Sequence, residues 1–303
     1  MSLGSLDRYE GALLGLACGD AVGTTVEFQS RGSFTPLTDM VGGGPFSLKA
    51  GQWTDDTSMA LCLAESLVIK QACDPQDQMA RYANWYQWGY WSSTGNCFDI
   101  GIATKAAISE FLRTGNALAG SSDPHSAGNG PLMRLAPVAM MFGGDEQQVQ
   151  EMAALSSRTT HAAAECLDAC QLFALALSLA LAGKSKQEVL DLSKLSFASP
   201  SITEIAQGSW QGKSREQICS SGYVVHSLEA ALWCFARHDS FEATVLEAAN
   251  LGDDADTTAA IAGQIAGAFW GRSGIPPRWL SKLHQSDEIR ALALSLHGLA
   301  HIH

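Results

Sequence analysis

Basic residues are scarce in this chain of 303 residues, which has 19 Lys and Arg against 31 Asp and Glu. The formal net charge of −12 repels a phosphate backbone, so we expect no nucleic-acid partner and a surface that suits cations better. Charged residues of both signs make up only 17% of the chain, whereas hydrophobic residues make up 46%. This balance excludes a mainly disordered chain and allows a large buried core.

Paired cysteines and export signals are lacking as well. None of the eight cysteines stands in a CxxC pair, and their spacing does not suggest a disulfide framework. Residues 1–6 are too short and polar for a secretory signal, so we interpret them as a tag remnant or a disordered end. The apolar run 169–183 is shorter than the roughly 18–20 residues of a membrane span. These absences predict a cytoplasmic protein with reduced thiols and no membrane span.

Strand patterns are also missing, because no segment alternates cleanly between polar and apolar residues. Leu, Ala, Met and Gln prevail in the long segments, several of which have helical periodicity. We therefore predict a compact all-α fold in which residues 1–303 form one domain of roughly ten or more helices. The predicted helices are 9–21, 57–71, a run from 75, 99–112, 131–141, 162–181, 187–195, 223–235, 241–249, 257–270 and 287–299.

Two acidic clusters each stand directly before a predicted helix. Residues 53–57 read WTDDT and residues 252–258 read GDDADTT. Asp and Thr are typical caps of a helix N-terminus, so capping is the plain alternative. Carboxylates crowded in one turn, however, repel each other and raise each other's pKa. Because neither cluster contains a Lys or Arg, we favour divalent cations as counter-ions.

The donor atoms of the clusters indicate which cation fits. They are carboxylate and hydroxyl oxygens, with no Cys or His nearby, and such donors select Mg²⁺ or Mn²⁺ over zinc. Because adjacent helical residues do not share a face, we expect the ligands to fan out from the irregular turn before each helix. Two such turns that face each other would hold two ions about 3.5–4 Å apart.

Seven motifs between residues 11 and 271 resemble, in order and spacing, the ADP-ribosylglycohydrolases. They are GALLGLACGD with a following EF, GQWTDDTSMAL, CFDIG, AGNGPLMRLAPV, TTH, GYVVHSLEAALW and NLGDDADTTAAIAGQIAG. The pattern is most similar to the bacterial type that removes ADP-ribose from an arginine of dinitrogenase reductase. The resemblance implies a compact all-α fold, a binuclear Mg²⁺ or Mn²⁺ centre and hydrolysis of an N-glycosidic bond. It also implies six metal ligands: Thr54, Asp55, Asp56, Asp254, Asp256 and Thr257.

The resemblance further implies a catalytic carboxylate beside the bond that is cleaved. Asp99 in the CFDIG motif is the first candidate, since the matching aspartate of the resembled type faces the guanidinium. An N-cap is the alternative for Asp99, because a helix is predicted to begin there. Glu27 is the second candidate, since related members use an acid in that loop near the metals. The family often reads FDIGN, whereas here Ile102 follows Gly101 and offers no amide to the substrate.

Substrate contacts are predicted at three further places. Gly128, Asn129 and Gly130 read locally as a plain turn, but the resemblance favours backbone N–H groups that cradle a pyrophosphate before a helix. His161 is either a satisfied polar residue or, by resemblance, a contact to a phosphate or ribose. Tyr223 is either a core residue or a platform on which adenine stacks.

The function that the resemblance implies is a metal-dependent hydrolase that removes ADP-ribose from an acceptor, typically arginine. Its substrate would be an ADP-ribosylated protein or a small ADP-ribosyl compound. Three alternatives stay open: a non-catalytic ADP-ribose-binding or crystallin-like structural member, a hydrolase of another ADP-ribosyl linkage, and a different all-α metal hydrolase such as a nucleotide pyrophosphatase. The six intact ligands argue against the first. The last would normally carry Glu-x-x-Glu ligands rather than aspartates at helix starts.

Overall fold

Fifteen α-helices account for most of the computed structural model, which describes residues 4–300. Within this range β structure is limited to three isolated bridges, so the predicted all-α class is confirmed. The helices are α1 (Ser5–Gly23), α2 (Asp55–Lys70), α3 (Pro75–Trp88), α4 (Ile102–Thr114), α5 (Gly130–Met133), α6 (Ala136–Phe142), α7 (Glu146–Ser157), α8 (Ala164–Leu181), α9 (Lys186–Leu190), α10 (Pro200–Ala206), α11 (Val224–Arg237), α12 (Phe241–Ala249), α13 (Ala255–Trp270), α14 (Pro277–Leu280) and α15 (Ser286–Ala300).

The central helices α1 and α13 lie antiparallel, with their backbones in direct contact. Glycines recur every four residues along α1, and this spacing places them on one face of the helix. A Cβ added at Gly11 would lie 2.2 Å from the carbonyl oxygen of Gly267, and one added at Gly19 would lie 2.1 Å from that of Ala259. Any larger side chain would therefore separate the two helices. The close contact brings the end of α1 beside the beginning of α13.

One hydrophobic core joins the described elements, from Tyr9 in α1 to Leu296 in α15. Helices α8, α11 and α12 pack against α13, while α15 packs against α1, α2 and α6. Because these contacts connect the two ends of the chain, the described residues form one domain. The N-terminal ends of α2 and α13 both lie beside the C-terminal end of α1, and this junction contains the acidic clusters.

Several helix boundaries differ from the sequence-based prediction. The helix expected from Asp99 begins only at Ile102, with Gly101 as its N-cap. The segment 131–141 divides into α5 and α6, and Pro137 lies in the first turn of α6, where proline is tolerated. The segment 187–195 stops at Leu190, while α7, α10 and the short α14 were not predicted. The prediction of helical segments is therefore correct in type, whereas several predicted first and last residues are wrong.

The first residues differ from the prediction as well. Ser5 and Leu6 belong to α1, so the expected disorder does not extend to them, and their interpretation as a tag remnant stays a prediction. Residues 1–3 of that predicted segment lie outside the described residues.

Helix α8 is the one helix in residues 4–300 that is long and apolar enough to cross a membrane. It is 18 residues long, because it begins five residues before the predicted run, so the argument from insufficient length does not hold. The interior of the protein buries 72% of this segment. The core helix of a globular protein can be equally long and apolar, and the packing of α8 against α7 and α13 is that of a core helix.

Candidate metal centre and active site

A carboxylate from another helix caps the N-terminal end of α2. Asp20, fully buried in α1, accepts hydrogen bonds from the backbone N–H groups of Thr54 (2.9 Å) and Thr57 (3.0 Å). The hydroxyls of both threonines donate to Asp20 as well. Thr54 is the N-cap residue of α2 but makes no side-chain cap bond of its own. Capping is therefore the role of Asp20, and the Thr54 hydroxyl lies among carboxylates instead.

A second external carboxylate caps α13 in the same way. Glu27 lies in the loop after α1, and its Oε2 accepts the backbone N–H groups of Ala255 (2.9 Å) and Asp256 (3.1 Å). A carboxylate is favourable there because the helix dipole is positive at this end. Asp254, the N-cap residue of α13, makes no side-chain cap bond. The capping alternative is thus wrong for Asp254 as well as for Thr54.

The two acidic turns predicted to face each other do meet. One carboxylate oxygen each from Asp20, Asp56 and Asp256 lie within 4.8 Å of one another, and the same holds for Glu27, Asp254 and Asp256. Asp256 belongs to both groups. The centre therefore consists of two adjacent groups of three carboxylates that share one aspartate.

Threonine hydroxyls complete the set of oxygen donors. The Oγ1 atom of Thr54 lies 3.3 Å from Oδ2 of Asp56 and 3.2 Å from Oδ2 of Asp256. The Oγ1 atom of Thr257 lies 3.3 Å from the same Asp56 oxygen. Each candidate ligand that meets here offers oxygen, which is the donor that Mg²⁺ and Mn²⁺ prefer.

The expected placement of the ligands before the helices is wrong for four of them. Helix α2 begins at Asp55 and α13 at Ala255, so Asp55, Asp56, Asp256 and Thr257 lie in first helical turns. The external caps Asp20 and Glu27 explain this difference. They accept hydrogen bonds from the free backbone N–H groups at the beginning of α2 and α13, so both helices can begin earlier in the chain than predicted. Only Thr54 and Asp254 occupy the flanking N-cap positions.

The acidic groups of this site lack a basic partner. No Lys or Arg in residues 4–300 forms an ion pair with Asp20, Glu27, Asp55, Asp56, Asp99, Asp254 or Asp256. Burial, and next the charge of Asp256, raise the pKa of Asp20 and of Asp254 to about 7. The same two causes raise the pKa of Asp56 well above its ordinary value.

One atom indicates what the cluster needs. The Oδ1 atom of Asp56 is buried and has no hydrogen-bond partner among the described residues. A buried carboxylate oxygen without a partner is costly, because its hydration is lost without replacement. A divalent cation would satisfy this atom and neutralise its neighbours, so the residues fit the predicted hard-metal site.

Asp99 joins the cluster from the loop before α4. Burial, and then the charges of Asp55 and Asp256, raise its pKa to about 11. Asp99 has a φ of 60°, a left-handed conformation that costs a residue with a Cβ about 1–2 kcal/mol. Because α4 begins only at Ile102, the N-cap alternative for Asp99 is wrong. Glu27 has a raised pKa too, from burial and then from Asp256 and Asp254.

The predicted pyrophosphate cradle has two backbone groups already engaged. The N–H of Gly128 donates to the carbonyl of Ser126 (2.8 Å), and that of Asn129 donates to the carbonyl of Gly222 (3.1 Å). The N–H of Gly130 is the member of the trio that stays a candidate. Two of the three backbone N–H groups of this loop therefore bond within the protein and are not free to bind a pyrophosphate.

The Asn129 side chain supports a candidate ligand. Its amide donates to Oδ2 of Asp254 (2.8 Å) and to the hydroxyl of Ser227 (2.8 Å). Asn129 therefore orients Asp254, a contact that the sequence did not predict.

His161 lies against the glycine loop. A Cβ added at Gly130 would lie 2.8 Å from Cε1 of His161, and one added at Gly128 would lie 3.2 Å from Nε2, so glycine is what allows this approach. The Nδ1 atom of His161 hydrogen-bonds the Thr160 hydroxyl (2.9 Å), which also accepts from Arg134 (2.8 Å). Burial, and next the Arg134 charge, lower the pKa of His161 to about 3. The imidazole is therefore neutral at physiological pH.

Tyr223 borders a cavity of about 550 Å³ on the same side as the glycine loop. Its hydroxyl donates to the Glu165 carboxylate, 2.7 Å from both oxygens, and burial and Glu165 raise the pKa of Tyr223 to about 12. Its ring meets that of His226 edge-on at 5.0 Å. Because Tyr223 is half-buried at a cavity wall, this position favours the ligand-side interpretation over the core alternative. The cavity is lined by Pro124, His125, Ala127, Gly128, Glu165, Gly222 and Tyr223.

Comparisons with known proteins agree with this geometry. The family model described as ADP-ribosylglycohydrolase matches residues 1–302. The chain belongs to the ADP-ribosylglycohydrolase family. A solved structure described as an ADP-ribosylglycohydrolase-related protein complex superimposes with a TM-score of 0.87 at 41% identity, covering 98% of this chain and 99% of that one. This family is one of hydrolases, so the chain is assigned to an enzyme family.

Three relatives with curated names span most of the chain. The chain is 49% identical to the ADP-ribosylarginine hydrolase Tri1 of Pseudomonas putida (strain GB-1), covering 96% of this chain and 78% of that protein. It is 43% identical to the Tri1 of Serratia proteamaculans (strain 568), covering 98% and 80%. It is 32% identical to the ADP-ribosyl-[dinitrogen reductase] glycohydrolase of Rhodospirillum rubrum, covering 93% and 92%. Identity is thus higher to the arginine hydrolases than to the type that the motifs resembled.

Two residues of this ADP-ribosylglycohydrolase site were not predicted as site residues. Asp20 ends the motif GALLGLACGD, and its position in this apolar, glycine-rich segment was a signal of a buried and functional carboxylate. Glu165, which holds the Tyr223 hydroxyl, follows three alanines and precedes a long apolar run. Asp253, the neighbour of Asp254 in the second acidic turn, is exposed and has a φ of 56°.

Proposed function

We propose that this chain is a metal-dependent hydrolase that cleaves the bond between ADP-ribose and an arginine side chain. The observation that carries the proposal is the pair of three-carboxylate groups that share Asp256 and have no basic partner in residues 4–300. The names of the two relatives at 43–49% identity support arginine as the acceptor. The substrate is an ADP-ribosylated protein or a small ADP-ribosyl compound.

The residues that would hold two Mg²⁺ or Mn²⁺ ions are Thr54, Asp55, Asp56, Asp254, Asp256 and Thr257. Bound there, the ions would supply positive charge that grips the ribose hydroxyls and stabilises negative charge as the bond breaks. Asp20 orients Thr54 through the two hydrogen bonds that it accepts from that residue's backbone and hydroxyl. Asn129 orients Asp254 through the hydrogen bond that its side-chain amide donates. The chain therefore fixes ligand geometry before any substrate arrives.

The reaction breaks the bond between the ribose carbon and the guanidine nitrogen, and the oxygen of a water molecule bonds to that carbon. A carboxyl group beside the leaving nitrogen can give it a proton, and the carboxylate that results takes up the proton that the attacking water loses. We assign this transfer to Asp99 rather than Glu27. Glu27 is engaged by two backbone N–H groups at the start of α13, so it is better suited to hold Asp256 in place.

The cavity beside Tyr223 and Gly128 is where we place the ADP moiety. The neutral His161 lies against Gly128 of this cavity wall and brings no charge near the diphosphate. We assign the Gly130 N–H to the diphosphate, and the Tyr223 ring at the cavity wall offers a surface for adenine. Ribose at the metals and adenine at Tyr223 would fix the scissile bond beside Asp99.

We further propose that the protein works in the cytoplasm, with no membrane span and no nucleic-acid partner. All eight cysteines are free thiols, which suits a reducing compartment. The net charge of −12 disfavours nucleic acid, and α8 is mostly buried.

The test is release of ADP-ribose from an ADP-ribosylated arginine peptide with Mg²⁺, with Mn²⁺ and with excess chelator. We expect activity with a metal, loss of activity in chelator, and a loss of at least a hundredfold for Asp256→Asn. Asp253→Asn is the matched control, because it removes a neighbouring exposed carboxylate and asparagine tolerates positive φ. Full activity in chelator would refute the metal centre, whereas ADP-ribose binding without turnover would support the non-catalytic alternative. Cleavage of an ADP-ribosylated serine peptide would support a hydrolase of another ADP-ribosyl linkage. Release of AMP would support a nucleotide pyrophosphatase.

A further inference from the structure

Three phenylalanines form a continuous aromatic cluster in the loops that carry the candidate acids. The ring centroids of Phe28 and Phe46 are 6.3 Å apart with an interplanar angle of 75°, and those of Phe46 and Phe98 are 5.2 Å apart with an angle of 57°. We call Phe28, Phe46 and Phe98 the phenylalanine collar. These distances match favourable edge-on and tilted contacts between aromatic rings.

The collar comes from two loops that also carry the candidate acids. Phe28 directly follows Glu27, and Phe98 directly precedes Asp99. The backbone N–H of Phe28 donates to the carbonyl of Asp253 (2.9 Å), which ties this loop to the second acidic turn. No collar residue lines the cavity at Tyr223. The collar therefore belongs to the loops that carry the acids and lies outside the wall of the proposed ADP cavity.

The exposure of the collar calls for a function. Phe28 is 67% exposed, although it belongs to the residue types that folding usually buries. Its φ of 63° is in the left-handed region, which favours glycine and is unusual for an aromatic residue. Strained backbone of this kind persists where the surroundings fix it, and it occurs often at ligand contacts. Ile102, three residues after Asp99, is an apolar residue that is 91% exposed as well.

We propose that the phenylalanine collar receives the arginine side chain of the acceptor, an inference that rests on the proposed function. A guanidinium is planar and cationic, so it is attracted to aromatic faces and to the nearby carboxylates. The methylene groups of the arginine gain from contact with the same apolar rings. Serine lacks both features, so the collar determines preference for arginine over serine. It compensates for the missing amide at Ile102.

The test measures KM and kcat on an ADP-ribosylated arginine peptide for Phe28→Ala, Phe28→Leu and Phe28→Tyr. Cation–ring attraction predicts that both Ala and Leu raise KM about tenfold, whereas Tyr keeps it within about twofold. The kcat value changes less, because Asp99 and the metal ligands are retained. Ile69→Ala is the matched control: Ile69 is 65% exposed near the end of α2, roughly 20 Å along that helix from Asp55. Calorimetry with ADP-ribose and Mg²⁺ should give the same Kd for parent and variants.

The outcomes separate the collar from the function. An unchanged KM for Phe28→Ala overturns the proposal, and so does a Phe28→Leu variant with parental KM, since then only apolar cover matters. A weaker ADP-ribose Kd in the variants also overturns it, because the collar would then act on the ADP side. If the parent is a dimer and Phe28→Ala is a monomer, the collar binds a second copy of the chain, and this result also overturns the proposal. A parent that binds ADP-ribose but cleaves no arginine linkage refutes the proposed function, and the collar proposal falls with it.

Discussion

His161 is a buried imidazole that the fold keeps neutral, and this has a consequence for stability. Its pKa falls from the ordinary 6.5 to about 3 in the folded protein because of burial and then the Arg134 charge. Below pH 6.5 the unfolded chain therefore binds a proton at this position that the folded chain does not bind. By linkage, this residue makes the folded state less stable as the pH falls from about 6.5 toward about 3.

We expect His161→Gln to reduce this acid sensitivity. The free energy of unfolding of the variant relative to the parent should rise as the pH is lowered from 7 to 4, measured by urea unfolding at each pH. Taking the difference removes the effect of the carboxylates, which both proteins share. His125→Gln, which changes an exposed histidine, is the control and should follow the parent. A difference that is constant over this pH range would contradict the neutral imidazole.

At the same scale, the sequence predicted the candidate ligands better than the residues that support them. Thr54, Asp56, Asp254 and Asp256 converge as predicted, because crowded acids without basic neighbours are visible in the sequence. The role of Asp20 was not visible, since a carboxylate that caps another helix is separated from it by more than thirty residues. The catalytic and substrate roles of Asp99, Glu27, His161 and Tyr223 stay predictions, and the experiments above address them.

Helices α1 and α13 position the site, and their contact depends on the absence of side chains. The four-residue glycine spacing of α1 is visible in the sequence, but its partner surface on α13 is some 240 residues away. The helices themselves were predictable from composition and periodicity. Their first residues were not, because Asp20 and Glu27 determine where α2 and α13 begin.

We expect Gly19→Ala to damage both the fold and the site. The new Cβ would lie 2.1 Å from the Ala259 carbonyl oxygen, so α1 and α13 must separate, at a cost of about 1–3 kcal/mol in the free energy of unfolding. The adjacent Asp20 would move relative to Asp256, so metal affinity, measured by calorimetry, should weaken as well. Gly298→Ala is the control, because nothing lies within 4 Å of its Cβ and alanine favours a helix by about 0.5–1 kcal/mol. Equal stability of both variants would contradict the proposed role of this contact.

For the molecule as a whole, we expect the acidic cluster to make the stability of the fold depend on bound cations. Burying several carboxylates together without a counter-charge opposes folding, and the raised pKa values of Asp20 and Asp254 express this cost. A ligand that binds only the folded state stabilises it by mass action, by about 2.7 kcal/mol at a hundredfold excess over Kd. Mg²⁺ or Mn²⁺ should therefore raise the melting temperature of the parent protein, and chelator should lower it.

Asp56→Asn separates charge repulsion from metal binding. Without metal, the variant should be more stable than the parent, because it removes a buried charge whose Oδ1 has no partner among the described residues. With Mn²⁺, the order should reverse, because the parent gains stability from binding and the variant has lost a ligand. Calorimetric melting in chelator and in Mn²⁺ checks both parts, and Asp253→Asn should respond to the metal as the parent does. If the parent melts at the same temperature in both buffers, the cluster holds no ion. If Asp56→Asn is less stable than the parent in chelator as well, Asp56 stabilises the fold without metal, and the proposed charge repulsion at this residue is wrong.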